Sequence, residues 1–214
     1  KAKMPGVRVT GYDASPDTRE VVRTLGFCDD VCDNPGTAVI DADLVILAVP
    51  VGAMGDVARA IADDLPADAI VSDVGSSKAS VAAALAEALP GATIIPAHPV
   101  AGTEFSGPEA GFAELFEGRW CIVTPPADAP IASVERVTAF WERLGARVEI
   151  MDAEHHDLVL AVTSHLPHLI AYTMVGVADD LSRVTDSEVI DYSAAGCRDF
   201  TRIAASDPTM WRDV

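Results

Sequence analysis

Leu44-Val45-Ile46-Leu47-Ala48-Val49, closed by Pro50, is a continuous apolar run without polar alternation. Such a run suits a parallel strand covered on both faces, and proline stops it because it has no N–H for a ladder. Working outward, the same rhythm repeats. Upstream, Val7-Arg8-Val9-Thr10-Gly11-Tyr12-Asp13 is a short β-rich run ending in an acid. Ser15-Pro16 then sets an N-cap and a first helical residue for a helix reaching Leu25-Gly26. Downstream, Val57 to Leu65 reads as a helix ended by Pro66, and Ala69-Ile70-Val71-Ser72-Asp73 as the next strand. Lys78 to Leu89 is a helix rich in Ala and Leu. Thr93 to Pro96 leads to His98, followed by a long loop holding Gly102, Gly107, Pro108 and Gly111. Trp120 to Thr124 is a strand, and Val134, Val137, Phe140 or Trp141, and Leu144 fall at helical spacing before Gly145. Val148-Glu149-Ile150-Met151 closes this half.

Six alternations of strand and helix with short links predict an α/β fold, a doubly wound parallel sheet. After Asp152 no convincing strand occurs, and residues 153–214 read as several helices. The domain boundary therefore falls at Met151-Asp152, giving an α/β domain over 1–151 and a smaller all-helical domain over 152–214. The 214 residues suffice for a substantial core.

Fifteen basic against 33 acidic residues leave a formal charge of −18, which repels phosphate backbones and argues against nucleic acid as a partner. Any anion site must carry its own arginines. The opening residues Lys-Ala-Lys-Met-Pro-Gly show no signal-peptide pattern, and Arg, Asp or Glu is read as interrupting every long apolar stretch. The expectation is a soluble, cytoplasmic chain with no membrane partner. Cys28, Cys32, Cys121 and Cys197 suit reduced structural thiols better than a disulfide framework.

Four stretches carry chemistry. In Ile94-Ile95-Pro96-Ala97-His98-Pro99-Val100-Ala101-Gly102-Thr103-Glu104, two prolines stiffen the segment around His98. It is either a polar loop histidine or a proton acceptor at the end of a strand, with a near-neutral pKa and activity falling on its acid side within pH 5 to 8. In Ser72-Asp73-Val74-Gly75-Ser76-Ser77-Lys78, the serines read as N-caps of the next helix. Lys78, the only lysine after Lys3, opposes the helix dipole and so predicts a charge nearby that it answers. In the helical half, Ser164-His165-Leu166-Pro167-His168 reads as a helix break. Its histidines lack a complete zinc spacing, and no metal is expected. Arg198 and Arg202, four apart, share a helix face. Asp199 and Asp207 could neutralise them, but a carboxylate ligand held by guanidinium forks is the favoured reading.

Asp13 is either a polar strand terminus or the acid that binds ribose hydroxyls in a dinucleotide fold. In the second case the glycine turn belongs upstream of Lys1, since no G-x-G-x-x-G opens the chain.

Taken in order, Asp73-Val74-Gly75-Ser76-Ser77-Lys78, His98-Pro99-Val100-Ala101-Gly102-Thr103-Glu104, Ser164-His165-Leu166-Pro167-His168, Arg198-Asp199-Phe200-Thr201-Arg202-Ile203-Ala204 and Ser206-Asp207-Pro208-Thr209-Met210-Trp211-Arg212-Asp213 resemble the prephenate/arogenate dehydrogenases of tyrosine biosynthesis. The resemblance implies a Rossmann-type domain followed by a helical domain through which two subunits form a homodimer. It implies NAD-dependent oxidative decarboxylation of prephenate to 4-hydroxyphenylpyruvate, with arogenate as the alternative substrate. By it, His98 is the catalytic base, Ser76 holds His98 or the substrate hydroxyl, and Arg202 grips a substrate carboxylate. Ser164, His168, Arg198, Glu104, Thr103 and Trp211 line the substrate site. Asp13, Val49, Pro50, Asp73 and Ser76 face the cofactor, and a carboxylate at Asp13 favours NAD over NADP. The family's first strand, its glycine turn and its helices beyond Trp211 have no counterpart in these residues, so the expected native protein is longer, with this stretch as its middle. A 3-hydroxy acid dehydrogenase is the less favoured enzyme class, because the lone candidate lysine, Lys78, sits in the nucleotide half. A non-catalytic ligand sensor is disfavoured by the joint presence of His98, Ser76 and Arg202.

Overall fold

The computed structural model describes residues 2–102, 107–182, 195–205 and 211. Among the described residues there are eight strands, two more than the six runs read from the sequence, because Asp30–Val31 and Ala97–Pro99 are also strands. The first is β1 (Thr10–Gly11), shorter than the run Val7–Asp13 suggests, paired in parallel with β2 (Asp30–Val31). Between them lies α1 (Pro16–Leu25). Ser15 caps it by accepting from Thr18 N, and Gly26 ends it at φ 67°, a left-handed conformation that suits glycine. Helix α2 (Pro35–Val39) is capped by Asn34.

The apolar run becomes β3 (Leu44–Leu47), in parallel register with β4 (Ile70–Asp73), which in turn pairs in parallel with β5 (Thr93–Ile94). Helix α3 (Met54–Ile61) and helix α4 (Ala79–Ala88) lie against one face. Every residue of β4 is buried, and neighbours divide between the two faces. Val71 joins Leu47, Met54, Ile61, Val81 and Leu85, whereas Ile70 joins the opposite cluster with Ile95, Val123, Val137 and Trp141. Val137 and Trp141 belong to α5 (Ile131–Arg143), so helices cover the sheet on both sides, as a doubly wound fold requires.

The last strands are β6 (Ala97–Pro99), β7 (Trp120–Val123) and β8 (Arg147–Ile150). Strands β7 and β8 are parallel, but β6 runs antiparallel to β7 and sets His98 opposite Ile122. Every other described strand pair is parallel, and the ladders form three hydrogen-bonded sets, β1-β2, β3-β4-β5 and β6-β7-β8. The long loop between β6 and β7 lets the chain return alongside without a crossover helix.

In the helical half, Asp152 caps α6 (Ala153–Leu160) by accepting from His155 N. The expected break at Ser164–His168 does not occur. A π-helical turn, Ala161–His165, carries α6 directly into α7 (Leu166–Ser182). Proline lacks an N–H and crowds the preceding turn, and the wider π turn just ahead of Pro167 absorbs both defects. The His168 imidazole lies 2.8 Å from the Ser164 carbonyl, whose oxygen accepts from Nδ1.

This continuity corrects another expectation. Residues 158–178 contain no Asp, Glu, Lys or Arg, and the helix Ala153–Leu181 is long and apolar enough to cross a membrane by length and composition. Leu158, Val162, Leu166, Leu169 and Val177 on it are exposed. The final described helix is Ala195–Thr201, followed by a 3-10 turn, Arg202–Ala205.

Candidate functional site

The site begins with a buried ion pair. Asp73, at the end of β4, and Lys78, just before α4, are both fully buried and in direct contact. The Lys78 ammonium also donates to the Ala97 carbonyl at 2.8 Å, and Asp73 accepts from Gly75 N at 2.7 Å and from Ala97 N at 3.3 Å. Burial pushes the Asp73 carboxyl up and the Lys78 ammonium down, and each partner opposes that shift in the other. Here is the charge that Lys78 answers. The pair clamps β6 to β4 one residue before His98. Gly75 permits the tight turn, since a Cβ there would meet Met54 Cε at 2.9 Å and Asp73 Oδ2 at 3.0 Å. Asp73 is thus placed differently from the cofactor-facing role expected of it: it lies inside, occupied with Lys78 and β6.

Neither Ser76 nor Ser77 caps α4. The carboxylate of Asp157, in the helical half, accepts from Lys78 N at 2.7 Å and Ala79 N at 2.9 Å. These amides hold Asp157 below the usual carboxylate range although burial opposes it, and His156 adds to the effect. One oxygen, Asp157 Oδ1, also meets His156 Nδ1 at 2.8 Å. His156 Nε2 in turn lies 2.9 Å from His98 Nδ1, with the two rings edge to face. An Asp157–His156–His98 chain therefore ends on the imidazole expected to be the base.

His98 is 8% exposed. Burial, with His156, Lys78 and His165 beside it, lowers its pKa to about 3. This corrects the expectation of a near-neutral histidine: the residue lies in a buried strand, where desolvation disfavours its charged form and the basic groups around it add to that. His98 is held neutral at physiological pH, a weaker base than a free imidazole but with an open lone pair, and its Nε2 meets no hydrogen-bonding group among the described residues. No hydrogen bond joins it to Ser76, which lies half-buried beyond β4.

A cavity of about 340 Å³ opens beside the π turn, lined by Ala161, His165, Leu166, His168, Tyr172 and Trp211 among others. Trp211 stacks on His168 with centroids 3.9 Å apart and meets His165 edge-on at 5.8 Å. His165 Nε2 is buried without a partner among the described residues. His165 both lines the cavity and is one of the groups around His98 that oppose its protonation. Of the expected substrate residues, His168 and Trp211 come together here and Ser164 supports His168. Arg198 and Arg202 are exposed and make no ion pair among the described residues, and Arg202 opens the 3-10 turn rather than continuing the helix. Asp199, one of their alternative partners, pairs with neither there. Thr103, Glu104 and Asp207 lie outside the described residues. His156, Asp157 and His165 were missed as site residues. The only trace in the sequence is a His-Asp pair in the first turns of a helix, which reads equally as capping.

On the cofactor side, Asp13 lies exposed just past β1, and Val49 and Pro50 just past β3. Positions beyond the carboxyl ends of strands are where open α/β sheets bind nucleotides. Asp13 Oδ1 accepts from Ser15 N at 2.8 Å, leaving Oδ2 without a partner among the described residues. A free carboxylate oxygen there suits a ribose diol and would repel an added phosphate, so the residues present fit NAD.

A doubly wound sheet with an acid past its first strand, and a neutral imidazole held beside an apolar cavity, has the layout of a nucleotide-dependent oxidoreductase. Comparison with known proteins makes this specific. Residues 1–150 match the family model described as the prephenate dehydrogenase nucleotide-binding domain, and residues 152–214 match the prephenate dehydrogenase dimerization domain. The chain is 47% identical over 214 residues to a cyclohexadienyl dehydrogenase of Zymomonas mobilis, covering all of this chain and 73% of that protein. It is 33% identical over 216 residues to a prephenate dehydrogenase of Bacillus subtilis, again over the whole chain but only 58% of that protein. The crystal structure of prephenate dehydrogenase from Aquifex aeolicus in complex with hydroxyphenyl propionate and NAD+ superposes with a TM-score of 0.91 at 34% identity, covering 99% of this chain and 74% of that one. The chain belongs to the prephenate dehydrogenase family. It is a dehydrogenase with a Rossmann-type nucleotide-binding domain followed by a helical part.

Proposed function

We propose that the protein containing this chain catalyses oxidative decarboxylation of prephenate to 4-hydroxyphenylpyruvate, with NAD as its cofactor. The observation that carries the reading is His98: neutral, buried, anchored through Nδ1, with Nε2 uncommitted among the described residues and a half-aromatic cavity that shares His165 with its surroundings. NAD, when bound, supplies the hydride acceptor, held by Asp13 at its ribose and by the backbone around Val49 and Pro50. His98 takes the proton of the ring hydroxyl at Nε2. As that carbon becomes a ketone, the ring carboxylate's C–C bond breaks, CO₂ leaves, and its electron pair completes the aromatic ring. Ser76 orients the hydroxyl. Arg202, with Arg198, holds the remaining carboxylate, and Ser164, His168 and Trp211 shape the pocket.

Supporting this reading are the family membership and the aromatic lining of the cavity. Arogenate is the second reading, because both substrates are cyclohexadienes and the 47% identical relative is named for that ring. We further propose a homodimer formed through the exposed apolar face of α6 and α7, and a cytoplasmic setting in which the four free cysteines stay reduced.

The test is growth of NADH absorbance when full-length protein, NAD and each substrate are mixed. A higher kcat/KM with prephenate is expected. Preference for arogenate would promote the second reading, and turnover of neither would overturn both.

A further inference from the structure

We propose that His156 and Asp157 are positioning residues that lock His98 in the Nδ1–H tautomer, so that its Nε2 is the only atom able to accept the substrate proton. The inference rests on the reading of His98 as the base and adds how that base is prepared.

The argument runs from one end of the chain of contacts to the other. Asp157 accepts two backbone amides at the start of α4, which hold its carboxylate ionised. An ionised carboxylate can only accept, so the His156 nitrogen 2.8 Å away, Nδ1, must carry a proton. A neutral imidazole has one N–H, and His156 is fully buried with its pKa lowered by that burial, so its Nε2 bears a lone pair. His98 Nδ1, at 2.9 Å from that lone pair, must then be the donor. Neutral His98 therefore has its own lone pair on Nε2, the nitrogen with no partner among the described residues. The opposite tautomer would set two lone pairs against each other at 2.9 Å. The groups facing His98, namely Lys78, His165 and His156, are cationic or neutral, so none favours a protonated ring; Asp157, acting through His156, is the one anion in reach. When Nε2 takes the substrate proton, the Nδ1–H bond to His156 remains and steadies the imidazolium, with Asp157 behind it.

The contact also ties the two halves of the chain at the proposed base. Asp157 is a poor position to mutate because it also caps α4. His156 is the better one. His156→Phe keeps bulk but cannot accept from His98, whereas His156→Gln can accept through its side-chain oxygen and donate to Asp157 through its nitrogen. In the full-length enzyme, kcat should fall about 10²–10⁴-fold in H156F, with KM changed by no more than about threefold. H156Q should restore most of the loss. Independently of turnover, ¹⁵N spectra of wild-type imidazoles at neutral pH should show His98 protonated at Nδ1 and bare at Nε2. An Nε2–H tautomer, an H156F enzyme with wild-type kcat, or an H156Q enzyme no better than H156F would each overturn the proposal. Correct spectra in a protein that turns over neither cyclohexadiene would instead count against the proposed function alone.

Discussion

At the scale of single residues, the proposed chemistry turns on His98 and its neighbours. Replacing His98 by Asn should lower kcat about 10²–10⁴-fold while substrate binding survives, as steady-state kinetics and binding titration would reveal. Arg202→Ala should act in the opposite column. Losing a charge-assisted bond to a carboxylate costs about 1.5–3 kcal/mol, a rise in KM of roughly ten- to a hundredfold with kcat little changed. The pH behaviour follows from burial. Because the pKa of His98 is lowered to about 3, the ring stays unprotonated through pH 5 to 8 and should not limit activity there. Folding is coupled to the same shift. Below the unfolded-state value of 6.5 the unfolded chain takes up a proton that the folded site refuses, so stability is full above 6.5 and declines towards pH 3. The slope from this group is at most about 1.4 kcal/mol per pH unit, and denaturant titrations across that window would measure it. A histidine flanked by prolines was visible in the sequence as a candidate base. Its pKa was not, because the pKa depends on Lys78, His156 and His165, which reach it from distant elements.

At the scale of elements, local rules worked where the partners are local. Ser15 with Pro16, and Gly26, mark boundaries because each acts within one turn of chain, and the structure confirms them, whereas the strand expected to reach Val49 and stop at Pro50 already ends at Leu47. The failures share a cause. Ser76 and Ser77 look like caps for α4, yet Asp157, 79 residues beyond Lys78, takes the amides instead. Pro167 looks like a stop, yet a π turn accommodates it. His98 reads as the residue displayed beyond a strand of a parallel sheet, yet it lies within β6, which pairs antiparallel with β7. Each outcome was settled by packing that no local window contains. The buried Lys78–Asp73 pair offers a test at this scale. Lys78→Met removes one charge and leaves the other buried without compensation, which should destabilise the protein by about 3–5 kcal/mol in equilibrium unfolding. The double substitution Lys78→Met with Asp73→Leu should recover part of that loss, because no lone buried charge then remains.

At the scale of the whole molecule, the order of motifs revealed both the α/β fold with its helical appendage and the family. Less legible was the outer face of the long helix, because a stripe such as Leu158, Val162, Leu166 and Val177 looks the same whether it meets a core, a bilayer or a second subunit. The proposed homodimer makes a definite prediction. Val162→Glu combined with Val177→Glu should convert a dimer to monomers in light scattering, since charges are poorly tolerated in a dry interface.

The Asp157 carboxylate has one more consequence. It fastens the start of one helix with both oxygens and, through Oδ1 alone, reaches by way of His156 the ring proposed as the base. Swinging the helical half away from the sheet would therefore disarm the enzyme at the instant it opened, without any separate latch. Substrate entry and product escape must use a route that leaves this rivet in place.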